Sequence, residues 1–578
     1  MKQYFKLFDN VGEFKWQAIL APIFIILEVV LEVYIPKFMG LLVDRGVEAG
    51  NLSNILMYGG IMVLMAVCSL LCGALSARYG AVASSGFARN LRTKLFGKVQ
   101  DFSFYNVDRF STGSLITRLT TDVTFIQNAF MMMIRVAFRA PIMLITSFTM
   151  AATINVKLSL IFVCAMPVFL IALGVFAKVA FPLFERMFKK FDAMNNRLQE
   201  NLTAIRVVKA FVREDHETQI FRDASADVQK AQVKAEKIMV YAQPLMSFVT
   251  YAVMIGIMWF GGNFVLKGEM SKGDLTSFIA YVSQILMSLL MVAMIMVNLV
   301  ISQASATRVN EVLDEVVDID DKDASADVKV KDASITFENV KFSYNKKLDN
   351  VVLNDINLHI NAGETIGIIG GTGSAKTTLV HLIPRLYDVT AGQVKVGGVD
   401  VREYKLKELR DNVAMVLQKN VLFSGTIREN LLWGNGDATQ EEIEEAAKNA
   451  CAHDFIIGFP DKYETDLGQG GVNVSGGQKQ RLCIARALLK KPKIMILDDS
   501  TSAVDTATDA SIRQAFRENL KETTVIIIAQ RIASVMDADK IIVMKDGEIN
   551  GFGTHEELLA NNDIYREVYE SQKKGAEE

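Results

Sequence analysis

The sequence predicts a two-part protein: an all-α membrane domain of six transmembrane helices with long cytoplasmic extensions, followed by an α/β domain. Three observations lead to this fold class. Six apolar stretches precede residue 310, and strand-length apolar runs bounded by glycine or polar residues follow residue 320. One glycine-rich turn in the second half lies between a strand pattern and a helix pattern.

Composition excludes several other classes. The chain has 578 residues, of which 51% are hydrophobic and 22% charged, with only 9 prolines, so disordered and collagen-like chains are ruled out. Its 5 cysteines form no CxxC pair and are expected to be reduced. The 62 basic and 65 acidic residues give a net charge of -3. Without a basic field, nucleic acid is not an expected partner.

Each predicted span is long enough to cross the hydrocarbon core of a bilayer, which requires about 20 apolar residues. The six spans cover residues 16–43, 54–85, 128–154, 156–182, 246–268 and 276–303. The amphipathic segment before the first span has no small-residue cleavage site, so we expect it to stay in the mature protein.

Basic residues set the predicted orientation. They cluster in the loops after the second and fourth spans, at 89–118 and 186–237. By the positive-inside rule these loops are cytoplasmic, and six spans then place both termini in the cytoplasm of a multi-pass cell-membrane protein. The short acidic stretch Asp318–Asp327 predicts a linker between the two halves of the chain. The predicted division is therefore a transmembrane domain at 1–317, a linker at 318–332 and a soluble domain at 333–578.

The glycine-rich turn has the residues of a phosphate-binding loop. It follows TIGIIG and precedes LVHLIPRLY, so backbone N–H groups and a helix N-terminus are placed to bind phosphates. Lys376 is predicted to contact the terminal phosphates and Thr377 to bind Mg²⁺. Ala375 stands where the strict pattern has glycine, which adds a methyl at a crowded position. The predicted nucleotide-binding residues of this loop are Gly370, Gly371, Thr372, Gly373, Ser374, Ala375, Lys376, Thr377 and Thr378.

Two further motifs accompany the loop. Asp498 ends the buried-strand pattern IMILD and is placed to be a second Mg²⁺ ligand. Between the loop and this strand, VSGGQ precedes the amphipathic helix pattern KQRLCIARALL.

Together these motifs resemble the ATP-binding-cassette (ABC) family across 333–578. In that resemblance Gln418 matches the Q-loop, a Mg²⁺ and nucleotide contact, and Tyr344 matches the aromatic residue that stacks on adenine. The signature motif is matched by Ser475, Gly476, Gly477 and Gln478, and the D-loop by Ser502, Ala503, Val504 and Asp505. The resemblance implies a phosphate-loop ATPase domain with a helical signature subdomain, and ATP and Mg²⁺ as cofactors.

The membrane half resembles the exporters of this family. Residues 91–123 and 200–217 are similar to the two intracellular loops whose short coupling helices press on the ATPase domains. We expect those helices around Ser111–Thr120 and Ala210–Glu217. One membrane domain fused to one cassette is the half-transporter arrangement, which implies a dimer that sandwiches each ATP between the phosphate loop of one chain and the signature motif of the other.

Departures from the family pattern concern catalysis. Asp499 stands where the family has the glutamate that polarises the attacking water, and Gln530 replaces the switch histidine. Gln469-Gly470 also replace the usual Glu-Arg. The pattern resembles the degenerate subunit of a bacterial heterodimeric multidrug exporter. Its own site is expected to bind ATP but hydrolyse it slowly, while its signature motif and Asp505 complete the competent site of a second half-transporter chain.

Two alternatives use the same cassette: an ATP-gated channel or regulatory membrane protein, and an efficient homodimeric exporter. The expected substrates are small amphipathic or drug-like molecules. Charged residues in the spans are either packing ion pairs or a site for a cationic substrate: Glu28, Glu32, Arg135 and Arg139. A methionine cluster either packs or contacts apolar substrates: Met287, Met291, Met294 and Met296.

Overall fold

A computed structural model describes residues 6–322, 324–325, 328–499 and 504–577. It divides into two compact units. One comprises Met1–Val99 and Thr112–Asp314, and the other comprises Gln100–Ser111 and Glu315–Glu578. The described part of the first unit is helical, whereas the second contains two β-sheets.

Long helices make up the first unit. Four of them have 43 to 53 residues, more than twice the roughly 20 that a bilayer requires. In chain order the helices from the N-terminus to the end of this unit are α1 (Lys15–Leu42), α2 (Leu52–Gln100), α3 (Phe104–Arg109, part of the second unit), α4 (Thr112–Thr117), α5 (Val123–Ile154), α6 (Val156–Thr203), α7 (Ile205–Ala210), α8 (Glu214–Leu266) and α9 (Lys272–Asp314).

Within the described residues, five helical segments are long and apolar enough to cross a membrane. They are Lys6–Val47, Leu52–Gln100, Thr112–Ile154, Ser247–Leu266 and Lys272–Val292. The predicted span 156–182 lies in α6, where several side chains fall outside the described residues. The count of six spans therefore stays a prediction.

A proline in α1 is accommodated by polar side chains of α9. Pro36 has no N–H, so the carbonyl of Glu32 loses its intrahelical partner. The side-chain amide of Gln284 donates to that carbonyl at 3.4 Å, and the hydroxyl of Tyr281 donates to the carbonyl of Val33 at 2.9 Å. These bonds join α1 to α9 because a membrane helix needs protein partners for freed backbone groups.

The charged residues of the spans form an ion triad. Arg139 on α5 donates one N–H to Glu28 and another to Glu32 at 2.7 Å, which ties α5 to two successive turns of α1. Arg135 instead packs its aliphatic stem against Gly80 of α2. The arrangement favours packing ion pairs. Of the methionine cluster, Met287 and Met294 are exposed on α9, and the side chain of Met296 lies outside the described residues.

Two sheets with surrounding helices make up the second unit. The strands are β1 (Ile335–Phe342), β2 (Leu353–Ile360), β3 (Thr365–Gly370), β4 (Ala391–Val396), β5 (Val399–Asp400), β6 (Val413–Val416), β7 (Ile494–Asp498), β8 (Thr524–Ile528), β9 (Lys540–Lys545) and β10 (Glu548–Gly553). The helices are α10 (Lys376–His381), α11 (Leu406–Asn412), α12 (Ile427–Leu432), α13 (Gln440–Asn449), α14 (His453–Ile457), α15 (Gly476–Leu489), α16 (Thr506–Asn519), α17 (His555–Asn561) and α18 (Asp563–Glu577).

The larger sheet has the strand order β10-β9-β3-β8-β7-β6, and the smaller antiparallel sheet has the order β2-β1-β4-β5. Every residue of β7 and β8 is buried, which explains their uninterrupted apolar runs. Helices α12, α13, α15 and α17 each begin at a Ser or Thr whose side chain bonds the backbone three residues on, with a Glu or Gln bonding back. Local capping therefore determines where these helices start.

A short helix just upstream of the predicted coupling segment belongs to the ATPase unit. The sequence predicts the first coupling helix around Ser111–Thr120, and this assignment stays a prediction. Helix α3 lies in the ATPase unit, whereas Thr112–Thr117 lies in the helical unit. Ser103 and Asn106 form its capping box, and the Phe104 ring meets Tyr387 edge-on at 5.9 Å. The Tyr387 hydroxyl donates to Asp108 at 2.6 Å. The capping box, the Phe104 ring contact and the Asp108 hydrogen bond all lie before Phe110, so they hold α3 at this position.

Candidate functional site

The candidate site lies at the carboxyl ends of parallel strands. Strands β3, β8, β7 and β6 are parallel neighbours, so their carboxyl ends meet at one edge of the larger sheet. The glycine-rich loop follows β3, Asp498 ends β7, and exposed Gln418 lies two residues beyond β6. The fold thus brings three separate predicted motifs to one edge.

The loop has an unusual backbone conformation at Ala375, the last residue before α10. Gly373 and Ala375 both have positive φ, 84° and 69°. Glycine adopts this conformation freely, whereas for alanine it costs about 1–2 kcal/mol. Alanine at this position therefore carries backbone strain, and the crowding of its methyl stays a prediction. Ser374 and Thr378 are buried on either side of it.

Lys376 is directed into the loop. Its ammonium donates to the carbonyls of Gly370 at 2.9 Å and Gly371 at 2.8 Å. Burial lowers the pKa of Lys376, while the charges of Asp499 and Asp498 act in the opposite direction. A phosphate group would supply stronger, charge-assisted acceptors than these carbonyls.

Asp498 and Thr377 form a pair suited to a magnesium ion. The Thr377 hydroxyl donates to Asp498 at 2.9 Å, and Asp498 is only 1% exposed. Burial raises the pKa of Asp498, as does the neighbouring Asp499 charge, against the opposing hydrogen bond from Thr377. A buried carboxylate beside a hydroxyl provides the oxygen ligands that Mg²⁺ prefers, and the cation would stabilise the buried charge. The residues present therefore fit the ion.

The two catalytic departures contact each other. The Gln530 side-chain amide donates to the Asp499 carboxylate at 2.8 Å. Asp499 has a φ of 47°, and its N–H is bonded to the carbonyl of Ile528 at 3.1 Å. Asp499 is half-buried, whereas Gln530 is exposed. A carboxamide can donate to a carboxylate but does not take up a proton at ordinary pH.

Tyr344 places an aromatic ring beside the loop. Its hydroxyl is hydrogen-bonded to that of Thr378 at 2.9 Å, and its ring contacts Tyr387 edge-on at 5.3 Å. The side chain is 41% exposed. An exposed ring held next to the phosphate loop is suited to stacking on a base.

The predicted signature and D-loop residues lie at helix N-termini. Ser475 caps α15 and forms reciprocal bonds with Gln478, at 3.3 Å from the Gln478 N–H and 2.8 Å to the Gln478 side chain. Ser475 and Gly476 are exposed. Asp505 caps α16 by accepting from the Thr508 N–H at 2.9 Å. Ser502 and Ala503 lie outside the described residues.

One residue in contact with the site was missed from the sequence. The side-chain amide of Gln572, on α18, bonds the backbone of Gln530 and Ile532, each at 2.8 Å. The available signal was a helical apolar stripe at Tyr565, Val568 and Tyr569, whose next position is occupied by this glutamine.

Comparison with known proteins places the chain in a family. Residues 18–289 match the family described as ABC transporter transmembrane region, and residues 353–502 match the family described as ABC transporter. The chain is 35% identical over 553 residues to the "Uncharacterized ABC transporter ATP-binding protein YfiB" of Bacillus subtilis (strain 168), with 96% of each chain covered. It therefore belongs to the ABC transporter family.

Further similarities define the type of transporter. A solved bacterial Atm1-family ABC exporter with ATP bound has a TM-score of 0.83 and 25% identity, and the match covers 97% of this chain and 99% of that one. The "ATP-dependent lipid A-core flippase" of Syntrophus aciditrophicus (strain SB) is 34% identical over 84% of this chain and 80% of its own. The chain is an ABC exporter half-transporter: a multi-pass helical membrane domain followed by an ATP-binding domain.

Proposed function

We propose that this chain is the degenerate subunit of a heterodimeric ATP-driven exporter. Its own phosphate loop binds Mg-ATP and hydrolyses it slowly, while its signature motif completes the competent site of a second half-transporter chain. The observation that carries this proposal is the 2.8 Å hydrogen bond between the Gln530 amide and the Asp499 carboxylate.

Two features of this pair weaken general-base catalysis. The Asp499 side chain is one methylene shorter than glutamate, and misplacement of a catalytic group by about 1 Å can cost a hundredfold in rate. Gln530 supplies no proton acceptor to compensate. Thr377 and Asp498 are the proposed Mg²⁺ ligands, with Gln418, and the ion would neutralise phosphate charge.

Exposed apolar side chains support the proposal that this chain binds a second chain. The turn between α7 and α8 presents Phe211 at 75% and Val212 at 81% exposure. On the ATPase unit, Phe423 and Trp433 stack at 4.1 Å, and Trp433 is 65% exposed. Exposed apolar patches of this kind are typical of protein interfaces. We infer that the partner chain covers them, and that it also contacts exposed Ser475.

Small amphipathic or drug-like molecules are the proposed substrates. An apolar groove of about 490 Å³ between α5 and α6 is lined by Phe148, Met166 and Pro167, among others. One similar protein is the "Putative multidrug export ATP-binding/permease protein YgaD" of Bacillus subtilis (strain 168), 34% identical over 83% of each chain. The groove favours apolar substrates, and the similarity to a putative multidrug exporter favours outward transport.

The experiment is a comparison of two variants in the purified heterodimer. Gly477→Asp places a charge in the motif that would bind the partner's ATP, so it should abolish steady-state phosphate release. Asp499→Asn changes only the slow site and should leave most of that activity. Gly436→Asp is a matched control, because this glycine lies in an exposed turn of the same domain with open space around it.

A larger loss of phosphate release with Asp499→Asn than with Gly477→Asp contradicts the proposal. Near-complete loss with Asp499→Asn would mean that this site is the competent one. Rapid ATP turnover by the purified chain alone would instead favour an efficient homodimeric exporter. Accumulation of a fluorescent dye in inside-out vesicles only with hydrolysable ATP would separate export from ATP-gated passive flux.

A further inference from the structure

Helix α18 packs on the ATPase domain through one apolar stripe. Tyr565 is fully buried in the same core cluster as Ile532, and Val568 and Tyr569 pack against that cluster. Side chains three and four residues apart share a helix face, so Gln572 occupies the next position of the stripe. The helix therefore carries this polar side chain to the segment that follows β8.

The amide of Gln572 spans the backbone on both sides of Arg531. Its Nε2 donates to the Gln530 carbonyl at 2.8 Å, and its Oε1 accepts from the Ile532 N–H at 2.8 Å. A carboxamide supplies both a donor and an acceptor, so one side chain satisfies both backbone groups. A glutamate in its place would keep the acceptor and lose the donor.

We propose that Gln572 is a positioning residue for the chain's own nucleotide site. It anchors the backbone of Gln530. The exposed side-chain amide of Gln530 donates a hydrogen bond to the Asp499 carboxylate at 2.8 Å. An exposed glutamine loses rotamer freedom when it holds one geometry, so a fixed backbone lowers that cost. The inference rests on the proposed role of the Asp499 and Gln530 pair in slow ATP hydrolysis.

A purely structural role for α18 makes a different prediction. If the helix serves only to cover the core, the stripe residues suffice and the hydrogen bonds of Gln572 are dispensable. A positioning role requires instead that loss of these bonds alters the Gln530 segment and the rate of hydrolysis while the domain stays folded. The two roles predict different amide exchange rates at Ile532 and different effects on kcat and on the KM for ATP.

Amide hydrogen exchange of the purified full-length chain tests the contact. Gln572→Leu removes both bonds at similar volume, so the Ile532 amide should exchange about tenfold faster, as expected for two lost hydrogen bonds. Gln572→Glu should keep Ile532 protected. Gln514→Leu is the matched control, because within the described residues that amide bonds Glu518 on its own helix.

Hydrolysis of radiolabelled ATP by the same proteins tests the function. We expect Gln572→Leu to lower kcat about fivefold to tenfold with the KM for ATP and the melting temperature unchanged, since a positioning group acts after binding. Unchanged Ile532 exchange, or a kcat equal to that of Gln514→Leu, overturns the proposal. Efficient turnover by the unsubstituted chain would refute the degenerate site, while the variant-to-parent ratios still decide the role of Gln572.

Discussion

Restoration of the family residues at the Asp499 and Gln530 pair should accelerate hydrolysis at this chain's own site. The perturbation is the double substitution Asp499→Glu with Gln530→His. It lengthens the carboxylate by one C–C bond, about 1.5 Å, and replaces a carboxamide with an imidazole that accepts and releases protons. Both changes act on the two side chains that contact each other at 2.8 Å.

The size of the effect follows from that geometry. Because a displacement of about 1 Å costs roughly a hundredfold in rate, Asp499→Glu alone should recover about tenfold to a hundredfold. Gln530→His alone should change the rate less than about threefold, since the carboxylate stays short. A positioned general base contributes about 10²–10⁴-fold, so the double variant should exceed the product of the single effects, as expected for residues in contact.

Single-turnover hydrolysis of radiolabelled ATP by the purified full-length chain measures this rate. Lys376→Ala in the double variant provides the background, because it removes the ammonium that bonds the Gly370 carbonyl and is predicted to contact phosphate. A double variant that binds ATP yet hydrolyses it within threefold of the parent rate would falsify the reasoning. So would a parent chain that loses a hundredfold in rate with Asp499→Asn, since its carboxylate would then already be the working base.

Three further predictions concern stability and coupling. Ala375→Gly should stabilise the ATPase domain by about 0.5–1 kcal/mol, because relief of the left-handed alanine exceeds the added chain entropy; a lower melting temperature would contradict this. Arg139→Met leaves Glu28 and Glu32 unpaired and should destabilise the membrane domain by about 3–5 kcal/mol, with partial recovery in thermal melts on adding Glu32→Gln. Phe211→Ala should reduce dye transport into inside-out vesicles more than phosphate release, and equal losses would argue against coupling.

The central nucleotide motif was predictable because it is local. The phosphate loop, its flanking strand and helix, and Asp498 all occur in short patterns whose chemistry is set by neighbouring residues. Parallel pairing of β7 with β8 places Asp498 opposite Ile528, which brings Gln530 to Asp499. That contact depends on strand order and register, so the motifs predicted the residues while only the fold established their hydrogen bond.

Helix α3 is an element that the sequence motifs do not reveal. Its capping box is Ser103 with Asn106, whereas the usual box has Glu or Gln three residues after the cap. Ser103 followed by Asn106 is therefore a weak helix-start signal in the sequence. The contribution of Gln572 was hidden for another reason: the apolar stripe places this glutamine on the packed face of α18, but its role depends on which backbone groups it bonds, and those are known only from the fold.

The contact between Asp499 and Gln530 also bears on why both family residues are replaced together. Glutamine is long and flexible, so its amide extends to the shortened carboxylate and keeps a hydrogen bond of 2.8 Å. The pair thus retains a link between the end of β7 and the segment after β8, while the imidazole that the family has at position 530 is absent. Under the proposed function, such a site would bind ATP and cleave it slowly. The direct contact between the two side chains argues that the two replacements are one functional change.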